Sequence, residues 1–272
     1  MNVPANLLVV KLGGAEGVDL SSTCEDLVHV LRRDRRPLVL VHGASAEANR
    51  LCEEAGLPLR TLTSPSGHSS RYTDAPTRDL FVQAAETVNR EILTCLGHNG
   101  VEAAGLTGDN IVLQARRKQA LRAQVEGRVR IIRDDYSGTI TAVDGQALLA
   151  LLETGRIPVL PPLADSSDGL LNIDGDRAAA AVASALGADD LVILSNVRGL
   201  YRDFPDEDSI VPVISPGDRE QALAWARGRM KRKVLAATEA LDGGAGRVIV
   251  SDGRVREPLQ NALAGAGSVF ES

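Results

Sequence analysis

"LLVVKLGGAEG", residues 7–17, is the stretch on which the fold turns. Apolar side chains fill positions 7–12 except Lys11, and Gly13 and Gly14 follow at once. An unbroken apolar run of this length marks a strand buried on both faces, whereas strict alternation would mark a strand with one face in water. The glycines allow a sharp turn at its end. The same type of run returns as "PLVLVH" (37–42, followed by Gly43), "RIPVLP" (156–161), "DLVILSN" (190–196) and "RVIVSD" (247–252).

Helical spacing fills most of the intervals. Leu27, Val30 and Leu31 share one face, and Leu80, Ala84, Val88 and Leu96 mark a longer helix that Asp74 caps, with Pro76 in its first turn. Buried strands alternating with helices predict a three-layer αβα sandwich around a mostly parallel central sheet. The proline-rich turn "PPLADSSDG" (161–169) is the natural boundary between an N-terminal lobe, 1–164, and a C-terminal lobe, 165–272.

The bulk properties narrow the function. The chain has 272 residues, is 44% hydrophobic and 24% charged, and carries a formal net charge of −6, with no apolar run approaching the eighteen residues of a membrane span. Its first residues lack the basic region and cleavage-like site of a signal peptide, so a cytoplasmic protein is expected. Cys24, Cys52 and Cys95 are too widely spaced for a thiolate metal site, and His29, His42, His68 and His98 show no paired ligand spacing. Nucleic acid is a poor partner for an acidic chain with 3% aromatic residues.

Residues 111–143 break the α/β alternation. Short alternating segments around "EGR" and "YSG" predict antiparallel hairpins. Arg116, Arg117, Lys118, Arg122, Arg128, Arg130 and Arg133 face only Glu126 before the Asp134–Asp135 pair. Such a run is either a solvated face or a docking surface for an acidic partner.

No GxxxxGK[ST] and no GxGxxG follows the first strand, which removes the P-loop and the dinucleotide fold. Glycines at two strand ends, with Lys11 beside the first, instead suggest backbone N–H groups and helix N-termini gathered around an anion. Asn172, Asp174 and Asp176 precede an alanine-rich helix and exceed what one cap needs. "GRMKRKV" (228–234) places four cations in seven positions. On a helix from about 229 to 241, at ~100° per residue, Lys233 falls ~60° from the buried Met230 stripe and Arg232 points outward. A semi-buried Lys233 needs a carboxylate partner.

Lys11-Leu-Gly-Gly, His42-Gly, Asn172-x-x-x-Asp176, "LSNVRGLY" and Gly228-x-Met-x-x-Lys233 together resemble the amino acid kinase family, its acetylglutamate kinases in particular. Within the family, "GGAEG", "SAEAN", "SRYTD", "DDYSGTI" and "GRMKRKV" resemble the kinases that act on aminoadipate or glutamate carried on the small acidic protein LysW. The resemblance implies a homodimer, ATP with Mg²⁺, and phosphorylation of a side-chain carboxylate. It implies Lys11, Asp176 and Lys233 as catalytic residues and Gly13, Gly14, Gly43 and Ala44 as phosphate contacts. Arg71 and Asn172 would bind the amino acid, and Ser195, Asn196, Gly199, Tyr201, Met230 and Lys231 the nucleotide. Arg116, Arg117, Lys118, Arg122, Arg128 and Arg130 would meet the carrier. A plain N-acetylglutamate kinase and a non-catalytic amino acid or nucleotide sensor are the alternatives.

Two positions depart from the family's habit. Ala44 stands where a second glycine is usual, tolerable only if its φ is negative, and Asp174 stands where acetylglutamate kinases more often carry an uncharged residue.

Overall fold

A computed structural model describes residues 4–17, 19–65, 67, 69–125 and 128–272; His68 and Glu126, named above, lie outside the described residues. The chain begins with β1 (Leu8–Leu12), α1 (Leu20–Asp34), β2 (Leu38–His42), α2 (Ser45–Glu54), β3 (Thr61–Thr63), β4 (Ser69–Arg71), α3 (Ala75–His98) and β5 (Ala103–Gly105). It continues with β6 (Leu113–Arg117), β7 (Leu121–Val125), β8 (Arg128–Ile132), β9 (Gly138–Val143), α4 (Gly145–Glu153), β10 (Ile157–Leu160), β11 (Leu163–Ala164) and β12 (Leu171–Asn172). The remainder is α5 (Gly175–Leu186), β13 (Asp190–Ser195), β14 (Val213–Ile214), α6 (Arg219–Trp225), α7 (Met230–Asp242), β15 (Arg247–Asp252), α8 (Pro258–Leu263) and β16 (Ser268–Glu271).

Eight strands form one sheet in the order β14-β16-β15-β13-β1-β2-β10-β5. Every pairing is parallel except that of β15 with β16. All five residues of β1 are buried, as its unbroken apolar run predicts. Leu8, Val10 and Leu12 pack with α1, α3 and α8 on one face. Leu7 and Val9 pack with α4, α5 and α7 on the other. Helices therefore cover both faces, and each fully buried aliphatic side chain contributes roughly 1.5–3 kcal/mol. The two expected lobes share this sheet, meeting where β1 pairs with β13.

Asp74 caps α3 as predicted, its carboxylate accepting from Thr77 N. The hairpin expected around "YSG" is not one. β9 pairs antiparallel with β6, and β7 and β8 form the hairpin inserted between them. The buried Asp135 carboxylate explains this. It accepts from Thr73 N and Ser137 N, both at 2.8 Å, which pins the turn to the approach to α3 and sends β9 back along β6. The β7–β8 hairpin joins β3 through one register pair, Thr63 with Gln124, giving a small sheet of order β4-β3-β7-β8.

The chain leaves β1 toward β2 on one side, while β13 lies on the other. In an open α/β sheet the crevice at such a reversal, outside the carboxyl ends of the strands, is where ligands bind.

Candidate active site at the carboxyl edge of the sheet

Strand periodicity puts Lys11 on the same face of β1 as Leu7 and Val9, the face that α5 covers. Its Nζ lies 2.9 Å from Asp176 Oδ1 in the first turn of α5. Lys233, in the first turn of α7, donates from Nζ to Asp176 Oδ2 at 2.8 Å. The three residues are each 7% exposed. Each oxygen of the Asp176 carboxylate is thus paired with one lysine. Burial alone would raise the Asp176 carboxyl, but the two ammonium groups hold it well below the usual carboxylate range. Burial pulls the Lys233 amine down, against the upward pull of Asp176. Two ammonium groups and one carboxylate leave one excess positive charge in a desolvated cleft, a site built for an anion.

Asp174 ties this cluster together. It caps α5, accepting from Asp176 N at 3.0 Å and Arg177 N at 3.1 Å, and its Oδ2 takes Arg232 Nη1 at 3.0 Å. Arg232 was expected to point outward. It is half-buried instead, because α7 packs along α5 and the residue pointing away from the core still meets the α5 cap. Gly228 adopts a φ of +52° immediately before α7, a conformation that glycine takes without strain.

The glycine loops serve differently from the expectation. Gly13 N–H is spent on Leu194 O at 3.0 Å and Gly43 N–H on Leu12 O at 2.9 Å, so neither is free for a phosphate. Among the described residues no hydrogen bond engages the N–H of Gly14 or Ala44. A Cβ on Gly14 would sit 2.2 Å from Gly43 C, and one on Gly43 2.5 Å from Gly14 N. These two glycines let the loops touch backbone to backbone. Ala44 has φ −137°, so its methyl adds no strain, and it precedes α2 without a side-chain cap. In the first turn of α2, Ala46 N–H donates to Gly14 O at 2.7 Å, which holds the helix N-terminus against the first glycine loop.

His42, at the end of β2, is buried with Nδ1 3.2 Å from Gly43 O and Nε2 3.1 Å from Asn89 Nδ2. Burial depresses its imidazole to about 4, so it is neutral and braces the second glycine loop.

On the far side of α2, Arg71 Nη2 donates to Ser45 O at 3.1 Å and Asn49 Oδ1 at 2.5 Å. Burial lowers its guanidinium pKa, and among the described residues it has no carboxylate partner. Asn172 Nδ2 donates to Thr73 Oγ1 at 3.0 Å, and Thr73 Oγ1 donates to Arg71 O at 3.3 Å. Asn172, Thr73, Arg71 and the α2 N-terminus therefore form one linked wall. Thr73 and Asn89 were not singled out from sequence, and Arg232 was expected to face outward with no partner named for it; the unusual Asp174 is that partner.

The expected nucleotide residues scatter more. Ser195 is buried at the end of β13, where its carbonyl accepts from Gly253 N, and Asn196 after it is exposed. Gly199 is needed for packing, since a Cβ there would lie 2.6 Å from Ser268 Oγ. Tyr201 is buried and bridges to Ile210. Met230 packs against the α5–α7 core, and Lys231 is half-buried.

The basic run divides as well. Arg116, Arg122, Arg128, Arg130 and Arg133 are exposed. Arg117 is committed internally, donating to Asp135 O and Arg133 O and lying 3.8 Å over the Tyr136 ring. Lys118 is half-buried, and desolvation lowers its amine. Neither is a surface cation.

Among the described residues no three carboxylate, histidine or cysteine side chains gather for a metal, and no helix is long and apolar enough to cross a membrane.

The chain is 43% identical to the LysW-aminoadipate kinase of Deinococcus radiodurans, over 97% of this chain and 91% of that one. It is 42% identical to the LysW-aminoadipate kinase of Thermus thermophilus, over 97% and 99%. Among solved structures, N-acetylglutamate synthase from Neisseria gonorrhoeae, complexed with coenzyme A and N-acetyl-glutamate, superposes with a TM-score of 0.80 at 27% identity. That match covers 99% of this chain and 60% of the synthase. Carbamate kinase from Giardia lamblia shares the fold, with a TM-score of 0.68 at 15% identity over 98% of each chain. Residues 6–252, which hold every side chain of the cleft just described, match the profile of the amino acid kinase family, and the chain belongs to that family.

Proposed function

We propose that this protein is an ATP-dependent kinase that phosphorylates the side-chain carboxylate of α-aminoadipate, or glutamate, carried through its amino group on LysW. The observation that carries this reading is the buried Lys11–Asp176–Lys233 bridge beside two unengaged backbone N–H groups. The names and near-full-length identity of the relatives supply the substrate class.

In this reading a substrate carboxylate oxygen attacks the γ-phosphorus, the bond to the ADP oxygen breaks, and an acyl phosphate forms. The carboxylate is ionised at neutral pH and needs no general base. Catalysis is then alignment and charge neutralisation. Lys11, with the N–H groups of Gly14 and Ala44, meets the transferred phosphoryl oxygens. Lys233 meets those on the leaving side. Asp176 acts as a positioning residue, because both its oxygens are occupied by lysines. Asp174 is taken by Arg232, so Mg²⁺ would arrive on the nucleotide phosphates rather than wait on a protein carboxylate. Arg71 takes the anionic end of the amino acid and Asn172 its blocked nitrogen. The C-terminal lobe, with Ser195, Asn196, Tyr201, Met230 and Lys231, holds the nucleotide, and the protein works as a cytoplasmic homodimer.

Ala44 was the one hint of a non-catalytic sensor, and its negative φ removes the strain behind that hint. Incubation with MgATP, hydroxylamine and either carrier-linked or N-acetylated acid tests the reading. Hydroxamate from the carrier-linked acid is expected. Hydroxamate from the acetylated acid alone would make the chain an N-acetylglutamate kinase.

A further inference from the structure

A cavity of about 290 Å³ lies between β9, α5 and α7. It exists because α5 lines it with Ala180, Ala181 and Ser184, and side chains that small leave the space unfilled. All six residues of β9, Gly138–Val143, border it, and consecutive residues do so along a strand's edge rather than across one face. Among the described residues β9 pairs with β6 alone, so the edge along the cavity carries backbone groups outside any ladder.

Lys118 lines the end of the cavity where α5 begins, near Asp174 and Arg177. It is half-buried, and among the described residues its ammonium takes part in no hydrogen bond and no ion pair. Burial lowers its amine, against the upward pull of Asp135 and Asp174 from a distance. Neither carboxylate is free to close on it. Asp135 holds Thr73 N and Ser137 N, and Asp174 holds two α5 N–H groups and Arg232. On the other wall, Glu239 takes Arg177 through both oxygens, at 2.9 and 2.5 Å. The neighbouring charges are thus matched among themselves, and Lys118 is left as a desolvated cation that calls for an anion.

We infer that this cavity is a regulatory site for a small aliphatic carboxylate, separate from the substrate cleft. The carboxylate meets Lys118 and N–H groups along the edge of β9, and the chain lies over the alanines of α5. At the small end of ligand pockets, which span ~300–1,000 Å³, the volume suits a short chain rather than a nucleotide. Asp174 connects this site to the catalytic cluster. It lines the cavity, caps α5 just before Asp176, and holds Arg232 on α7. A carboxylate on Lys118 adds negative charge beside Asp174 and competes with it for Arg232, which loosens α7 from α5 where Lys233 meets Asp176.

Hexanoate is the probe, with one carboxylate and an aliphatic chain, and hexanamide is its uncharged counterpart. Hexanoate should raise the thermal midpoint of the full-length protein saturably, by about 2 °C or more, and hexanamide should not. At saturation hexanoate should lower the ATP-dependent hydroxamate rate about fivefold. Ala181→Leu fills the cavity without changing charge and should remove both effects, and Lys118→Met should remove them through the charge alone. A midpoint shift shared by hexanamide would overturn the site, as would one that persists in both variants, which would put the carboxylate in the substrate cleft instead. Saturable binding with an unchanged rate would overturn the regulatory role. The midpoint measurements need neither carrier nor turnover, so an error in the substrate assigned above would leave them standing.

Discussion

Two cation-rich regions of this chain resemble each other in sequence and differ in what surrounds them. In 228–234 the cations are drawn inward, Lys233 onto Asp176 and Arg232 onto Asp174. In 116–133 most remain in water, and only Arg117 and Lys118 are withdrawn into the body of the protein. What separates them is the supply of carboxylates from a neighbouring element. α5 presents Asp174 and Asp176 in its cap and first turn directly against α7, whereas among the described residues the β7–β8 hairpin is in register with the rest of its sheet at a single pair. Buried cations with one carboxylate too few hold an anion, and exposed ones steer a partner.

The sharpest break in this contrast comes from the buried side. Lys11→Met should lower kcat by about 10³-fold, as the loss of one preorganised donor to developing charge does, with the fold retained by circular dichroism. Equal rates in variant and wild type would remove Lys11 from the chemistry.

Asp176→Asn probes the other half of the cluster. It leaves two ammonium groups facing each other, Lys233 among them nearly fully desolvated, and denaturant unfolding should show a loss of about 3–5 kcal/mol. An unchanged midpoint would mean that the cluster is not held by charge.

The next effect is a pH dependence next to the cleft. The folded state holds His42 neutral down to about 4, from an ordinary value of 6.5. Between those values the unfolded chain binds the proton and the folded one does not, so stability falls as pH drops through this window, by about 3 kcal/mol in all. Above pH 6.5 the contribution is complete. His42→Gln should flatten that limb in a series of unfolding curves. Asp176 adds a further loss only at still lower pH, because its carboxyl is depressed and its stabilisation disappears as pH falls through that depressed value.

The smallest effect lies on the exposed side. Arg122→Ser with Arg128→Ser should change stability by no more than about 0.5 kcal/mol, as exposed charges away from partners do. The same pair should weaken the salt dependence of KM for a carrier-linked substrate while leaving kcat alone. A large stability loss would show that the hairpin is held by these arginines and would erase the contrast.

Much of the frame was legible without coordinates. The five apolar runs became β1, β2, β10, β13 and β15, because residues 4.8 Å from neighbours on both sides and covered on both faces have no place for polar side chains. Asp74 and the helix from Met230 were equally readable, since caps and helical stripes are local. Short β3, β4 and β14 were not, because strands of two or three residues leave no periodicity. The "YSG" hairpin failed for a different reason. Its local pattern suits a turn to β8, but Asp135 binds Thr73 N, 62 residues away, and that bond redirects β9 to β6.

The sequence alone determined the layered fold and the two glycine loops, since these rest on residue type and short spacing, and its resemblance to the amino acid kinases pointed to Lys11, Asp176 and Lys233. Only the tertiary structure decided that Asp176 lies between the two lysines, that Gly14 and Gly43 exist to touch, that Ala44 costs nothing, and which cations are buried. Each of those depends on which element faces which. A carboxylate on α5 and an amine on α7, 57 residues apart, have no relation until helix packing brings them to 2.8 Å.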